Sequence, residues 1–522
     1  VKRIVLLSFA ALAGCFGSPP PEPYTPPGLA ATPTPATSAK PGTEPAQARE
    51  TPDAPFRQKP PAPDGKVTFV APKITQASLK NGVRVLISER HDLPIVSVRL
   101  VVTSGAGDIA MTRPGSASFV GAMIEQGTKK RTALQISDDY EALGAQHSAW
   151  VDWDQGGVSL KVLADKLDAA LDIMSDVALH PAFPDDEVER FRARRIAGIQ
   201  SEKSSPGSIS QNTIAAALFG RGHRYGHTIG GEEVDAKKLT RAEVLDVYGK
   251  LFVPENAAIL VAGDVTQAAI LPKLETAFGG WQPSGRKPPP AKQRGPAPPA
   301  KASTEKRIVL VDRPGAQSQI ALVKTGVPFD TKDRDAIVVT NAILGGMFTS
   351  RVNMNLREKN AYTYGARSYF IMRHGPGPFY VGAPVHADKT VPAIKEIFSE
   401  VDGLRSGGAT DDELALAKES ILLAMPGRFE SVDNITNAMA EIAIYDLPLD
   451  EFEKRPARIE AVKAADVKRI ATELLDSKTM TVVVVGDKSK LASELDTLGI
   501  GGFDERDAYG NPVTPPPPPP PK

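Results

Sequence analysis

Cysteine is almost missing from this sequence: one residue, Cys15, in 522. A lone thiol can form neither an internal disulfide nor a cysteine-based metal centre, so any metal would have to be held by other side chains. Net charge is missing as well, with Lys+Arg and Asp+Glu at 62 each. A balanced chain carries no electrostatic footprint for a phosphate backbone, which excludes nucleic acid as a partner. The apolar run at the start, Ile4 to Leu12, is only nine residues long and too short to span a bilayer. Proline, by contrast, is abundant. Its 47 residues cluster in the first 70 positions, in 283–299 and at the end. The remainder holds enough Val, Ile, Leu and Ala to bury a large core, and the length accommodates roughly two to four domains.

The first 15 residues read as a signal peptide. Lys2 and Arg3 supply a charged start, the apolar run follows, and Leu12-Ala13-Gly14-Cys15 resembles a bacterial lipobox. An ordinary secretory peptide with a stray cysteine is the alternative. On the lipobox reading the mature chain begins at a lipidated Cys15, anchored in the cell envelope. Phe16 in place of Asp after the cysteine points to the outer membrane. Residues 16–68 have almost no large apolar side chain and are expected to form a disordered, Pro-rich tether. The Pro-rich tail, 501–522, ends in the polyproline II rod Pro515–Pro521, read as a spacer rather than a docking motif.

The body is predicted to be a duplicated α+β fold, residues 69–282 and 307–500, joined by a Pro-rich linker at 283–306. Leu79–Ile87 reads as strand, Asn81-Gly82 turn and strand, and Ile95–Val102 as a further strand. Helices are expected at Ser116–Glu125, Leu134–Leu143, Lys166–Leu179, Asp185–Lys203 and Arg241–Leu251, with two strands in Gln146–Val162. The half closes on a strand ending Gly263-Asp264. The second half closes the same way on Gly486-Asp487. Val244 to Gly263 and Val467 to Gly486 are both 19 residues apart, the mark of duplicated domains about 220 residues apart. Strand Arg307–Val311 opens the second half, and helices are expected at Ala336–Leu344, Ala393–Leu404, Asp411–Met425 and Ser431–Ala443. The absence of βαβ regularity predicts antiparallel-rich sheets with helices on one face.

The stretch Leu79–Ile87, followed by "DLPIVSVRLVVTSGAGD" and "RPGSASFVGAMIEQGT", resembles the N-terminal domain of the M16 (pitrilysin-like) metallopeptidases, and "GGMFTSRVNMNLREKNAYTYGA" their C-terminal domain. The resemblance runs over about residues 70–497. It implies two homologous M16-type domains and, in active members, a His-x-x-Glu-His helix. Histidines four apart on one helical face share a zinc ion there, and the glutamate deprotonates its water. Here the five positions are Ser118-Phe119-Val120-Gly121-Ala122: Ser118 and Ala122 replace both imidazoles and Gly121 the general base. Where the resemblance places a downstream glutamate ligand, Glu202 is the only carboxylate, and it is displaced. No zinc site can be assembled, and the metal is expected in a partner.

Arg357 and Tyr364 match the arginine and tyrosine with which active relatives hold the substrate and support the tetrahedral oxyanion. Arg357 is expected to end a helix and Tyr364 to lie on the following strand. A helix-terminal salt bridge and a core hydroxyl are the alternatives. Other groups read as structural. His223 and His227 belong to a basic loop, and His91, His147, His180, His374 and His386 are scattered. Asp138, Asp139, Glu141, Asp152 and Asp154 read as helix caps and a solvated strand edge, and Trp150 and Trp153 as packing. The resemblance therefore implies a zinc-lacking subunit that pairs with a His-x-x-Glu-His-bearing M16 chain and supplies Arg357 and Tyr364 for peptide hydrolysis. A catalytically silent scaffold or peptide-binding lipoprotein is the competing reading.

Overall fold

Two six-stranded sheets organise the chain. The computed structural model describes residues 69–108, 113–285, 295–296 and 307–513. Cys15, the tether, most of the linker and the polyproline end lie outside the described residues. The first sheet contains β1 (Thr75–Ser78), β2 (Arg84–Glu89), β3 (Ile95–Val102), β4 (Gln146–Val151), β5 (Gly156–Leu163) and β6 (Ala257–Gly263), in the order β1-β2-β6-β3-β5-β4. The second contains β7 (Arg307–Asp312), β8 (Gln317–Thr325), β9 (Arg367–Met372), β10 (Pro376–His386), β11 (Thr481–Gly486) and β12 (Phe503–Arg506), in the order β12-β7-β11-β8-β10-β9.

The repeat is visible strand by strand. β2 pairs parallel with β6, and β7 with β11. β6 and β11 pair antiparallel with β3 and β8, which in turn pair antiparallel with β5 and β10. β6 and β11 sit centrally and every residue of both is buried, which is why both read as unbroken apolar runs rather than alternating ones. The sixth strands break the symmetry: β1 is antiparallel to β2, whereas β12 is parallel to β7. The body thus continues past residue 500, into what the sequence predicts to be tail. Gly499, Gly501 and the charged Asp504-Glu505-Arg506 hide this strand from hydrophobic alternation.

Each half lays its own helices on one face of its sheet, as expected. Phe119, Leu171, Met174, Val244 and Leu274 pack in one core with Val85, Val98, Leu100 and Ile259. The second face of each sheet is covered by a helix from the opposite half. Ile435, Met439 and Ile442 of helix Val432–Tyr445 pack on Leu86, Val101 and Leu260 of the first sheet. Ile209 and Ile214 of helix Pro206–Phe219 pack on Val309, Val311, Val323 and Val485 of the second. At roughly 1.5–3 kcal/mol per fully buried aliphatic side chain, this exchange makes each half depend on the other, and residues 67–522 form one unit. Helix Pro206–Phe219 escapes sequence reading because its segment has no charged residue and buries more than one side, so no amphipathic stripe marks it.

Candidate functional site

The helix holding the degenerate motif runs Ser116–Met123 and packs on β4. The Ser118 hydroxyl faces two carbonyls, Gly115 and Ile229, at 3.0 Å each. A Cβ at Gly121 would stand 2.3 Å from the Val151 backbone nitrogen and 2.6 Å from the Trp150 carbonyl carbon. Backbone cannot give way as a flexible side-chain tip can, so no side chain fits at 121 without moving the helix off the sheet. Glu202 is engaged elsewhere: the Arg195 guanidinium donates to it at 2.7 Å and to the Gly230 carbonyl at 3.2 Å. Ser118, Phe119 and Arg195 line a cavity of about 20 Å³, room for about one water. A neutral hydroxyl, a methyl group and an arginine-paired carboxylate do not make a zinc site. The residues present do not fit the metal.

The segment 345–365 is built the opposite way. It opens on one π-helical turn, Ala342–Gly346, and contains a second, Met354–Lys359; such turns are rare and concentrate at functional sites. Gly345 is required by contact, since a Cβ there would lie 2.5 Å from the Ser368 nitrogen of β9. Beneath the surface the segment is pinned by polar anchors. Arg351 makes a bidentate pair with Glu413, at 2.6 and 2.7 Å, and also donates to the Gly408 carbonyl. That bond raises the Arg351 pKa and holds the Glu413 carboxyl below its usual range. Asn355 donates to Glu396 and Glu400 at 2.8 and 2.6 Å. Asn353 donates to the Phe348 carbonyl and accepts from the Ala366 amide. Ala361 takes a left-handed φ of 53° as the chain leaves the second π-turn.

On this frame Arg357 and Tyr364 point outward. Arg357 lies within the second π-turn, its side chain 41% exposed, paired with Glu358 at 3.1 Å and stacked 4.7 Å over the exposed Phe348 ring. Tyr364 is 83% exposed. It sits in the bend before β9 rather than on a strand, because Thr363 and Gly365 close a local turn and Ala366 is tied back to Asn353. The core-hydroxyl alternative is thereby removed. Neither residue lines the cavities around Gly115 and Ser118.

A third constellation was not legible in the sequence. Asp108 (after β3), Asp154 (between β4 and β5) and His374 (between β9 and β10) bring ligand-type atoms within 4.8 Å of one another. Their side chains are almost wholly buried. Asp154 is therefore not part of a solvated strand edge, and Asp139 is no helix cap but a partner of Arg131 at 3.0 Å. His374 Nδ1 faces Asp108 at 3.0 Å and Asp154 at 3.7 Å, and its Nε2 faces the Ile444 carbonyl at 3.2 Å. Tyr445 donates to Asp154 at 2.8 Å, as does the His374 amide. A carbonyl only accepts, and so does a carboxylate that has lost its proton, so this setting favours the doubly protonated imidazolium form of the ring. Burial lowers the His374 pKa, but the hydrogen bond and charge of Asp108, with the charge of Asp154, outweigh it, and the net shift is upward. Burial also pushes the Asp154 carboxyl up. With its nitrogens so engaged the cluster is a charged clasp between the halves rather than a metal centre. Only the topology, which brings three turns to one place, could have revealed it.

The histidines of the basic loop serve local structure. His223 Nδ1 accepts from the Tyr225 amide at 3.1 Å, its ring stacks on Phe219, and His227 Nε2 lies 2.8 Å from the Arg221 carbonyl.

Residues 84–231 match the family described as insulinase, peptidase family M16, and residues 238–421 match the peptidase M16 inactive domain. An uncharacterized zinc protease of Streptomyces coelicolor is 24% identical over 81% of this chain and 92% of its own length. The uncharacterized zinc protease YmxG of Bacillus subtilis is 21% identical over 76% and 94%. Among solved structures, a peptidase M16 inactive domain from Pseudomonas fluorescens superposes with a TM-score of 0.73 at 25% identity, covering 79% of this chain and 98% of that one. A protease from Helicobacter pylori gives 0.73 at 20% identity, over 80% and 99%.

Proposed function

Because the chain belongs to the M16 peptidase family, we propose that it is the zinc-lacking subunit of a two-chain peptidase, lending Arg357 and Tyr364 to a zinc site on its partner. One observation carries the reading: the two residues stand exposed on a segment whose underside is rigidly anchored, while the helix of the zinc motif is packed shut. A guanidinium and a phenol aimed outward can donate to a substrate carbonyl, and to the oxyanion formed from it, in a neighbouring active site. A pre-anchored backbone keeps them from paying an ordering cost on docking. Phe348 and Met354, both exposed beside Arg357, supply the apolar contact for a partner surface. Alone, the chain hydrolyses nothing.

The test mixes the purified chain with an M16 chain bearing His-x-x-Glu-His and follows complex formation by size-exclusion chromatography and cleavage with a quenched peptide. Failure to form a complex, or a complex that cleaves no faster than the zinc subunit alone, overturns the proposal. Anchoring through a lipidated Cys15, at the outer membrane, belongs to the same proposal, and incorporation of labelled palmitate that is lost in Cys15→Ser checks it. Among the described residues no helix is long and apolar enough to cross a membrane.

A further inference from the structure

Arg373 is a cation without a hydrogen-bonded or ion-paired partner among the described residues. It follows β9, next to His374. Its guanidinium is stacked 4.8 Å from both the Trp153 and the Tyr225 rings. Five N–H donors are therefore held in place by aromatic faces and left unspent. Burial lowers the Arg373 pKa, and Asp154 and Asp152 act on it through space. Asp154 is already committed to His374 and Tyr445.

Arg373 lies in the walls of two cavities. One, of about 260 Å³, is apolar and aromatic, walled by Ile214, Phe219, Tyr369, Ile371 and Tyr380. The other, of about 500 Å³, is polar and lined by Arg99, Asp152, Gln155 and Asn437. Gln155 Oε1, in that second wall, has no hydrogen-bond partner among the described residues. Arg373, Trp153 and Ile371 belong to both.

We propose that this junction binds the C-terminal end of a peptide whose last residue is apolar. The carboxylate takes the Arg373 fork, the terminal side chain fills the aromatic cavity, and the preceding backbone leaves through the polar cavity past Gln155. Arg373 is the one guanidinium common to both cavities. In the polar cavity Arg428 and Arg455 are paired with Glu441 and Asp335, and Arg99 donates to Asn437 and stacks on Trp150. The junction therefore offers one fork, which matches a single negative charge rather than a polyanion. The two cavities match the two branches that leave a terminal α-carbon. A free aliphatic carboxylate offers the same charge but only one branch, and it would fill one cavity. The site is formed by this chain alone, so it stands or falls independently of the two-subunit reading.

The experiment titrates the full chain, without any partner, by isothermal calorimetry. The probes are the peptide Ala-Ala-Ala-Ala-Phe as free acid, the same peptide as C-terminal amide, and decanoate. The expected result is free-acid binding at least about ten-fold tighter than the amide, since the charged hydrogen bonds are lost with the charge, and weaker binding of decanoate. Arg373→Met, checked for folding by circular dichroism, is expected to abolish the acid-over-amide preference. Equal binding of acid and amide, no binding of either, tighter binding of decanoate than of the peptide, or a folded Arg373→Met that still prefers the acid each overturns the proposal. If Arg373→Met does not fold, the acid–amide comparison on the natural chain decides alone.

Discussion

Helix Ser116–Met123 and the segment Gly345–Gly365 lie in corresponding connections of the repeat, the first between β3 and β4 and the second between β8 and β9. They have gone opposite ways. In the first, positions that carry chemistry in the relatives the sequence resembles hold Ser118, Gly121 and Ala122, and the helix has sunk onto the β4 backbone. In the second, the polar groups are sorted by depth: Arg351, Asn353 and Asn355 are spent inside, whereas Arg357 and Tyr364 are kept outside. Positions closed by packing cannot be reopened by changing their side chains alone. An anchored frame can lose its outward side chains with little effect on the fold.

The largest expected effect comes from trying to reopen the first region. Restoring the motif as Ser118→His, Gly121→Glu and Ala122→His places a branched-off carboxylate where a Cβ already overlaps the Val151 nitrogen at 2.3 Å. Overpacking against backbone combined with burial of a charge should cost at least about 5 kcal/mol. Soluble yield and urea denaturation measure it. A folded triple variant with stoichiometric zinc breaks the comparison.

Next in size is the clasp that holds the two regions in one body. Asp108→Asn leaves the His374 imidazolium without its nearest counter-charge and should cost about 3–5 kcal/mol, as for a buried pair broken on one side. The same cluster sets a pH trend. His374 has a folded pKa above its ordinary 6.5 and Asp154 one above 3.8, so both bind protons more tightly in the folded state. The His374 contribution is fully present below pH 6.5 and is lost as pH rises through the folded pKa; the Asp154 penalty also grows with rising pH. Thermal melts from pH 6 to 9 should therefore fall more steeply for the natural chain than for Asp108→Asn. A parallel pair of curves rules out the clasp as the source.

Smaller again is loss of an anchor under the second region. Asn355→Ala leaves Glu396 and Glu400 without their shared donor, a cost of about 1–3 kcal/mol. Urea denaturation measures it, and activity in the complex should fall with it, because the frame that aims Arg357 is loosened.

How much of this was readable beforehand divides along the same line. The duplicated fold was, because β6 and β11 are buried on both faces and show it as apolar runs ending in Gly-Asp at equal spacing. The exposed pair was nameable through resemblance, but its exposure was not, since Tyr364 is turned out by a Thr363–Gly365 turn that leaves no hydrophobic pattern. The exchanged helix Pro206–Phe219 and the parallel edge strand β12 lack a local hydrophobic pattern, and with the Asp108–Asp154–His374 clasp they share a second reason for being hidden. Each is defined by contacts between segments far apart in sequence, and no local periodicity or spacing encodes them. Gly121 is the instructive middle case: its identity removes a general base, but only the 2.3 Å approach of β4 explains why the position is closed.

The smallest structural effect, and the most telling one, is expected from Arg357→Ala and Tyr364→Phe. Among the described residues the Arg357 side chain is tied only to its neighbour Glu358 and to the exposed Phe348 ring, and exposed ion pairs contribute between zero and about 1 kcal/mol. The Tyr364 hydroxyl has no hydrogen-bond partner among the described residues, and its side chain is largely in solvent. Both variants should therefore melt within about 0.5 kcal/mol of the natural chain. In the complex with a zinc-bearing partner, removing one donor from the developing oxyanion should lower kcat about 10²- to 10³-fold. Arg357→Lys keeps the charge but not the fork, and should recover only part of that loss. The separation between stability and turnover is what a structural remnant could not produce. Variants that leave turnover unchanged would reduce Gly345–Gly365 to a well-anchored relic, and variants that dissolve the complex would make the pair docking residues instead.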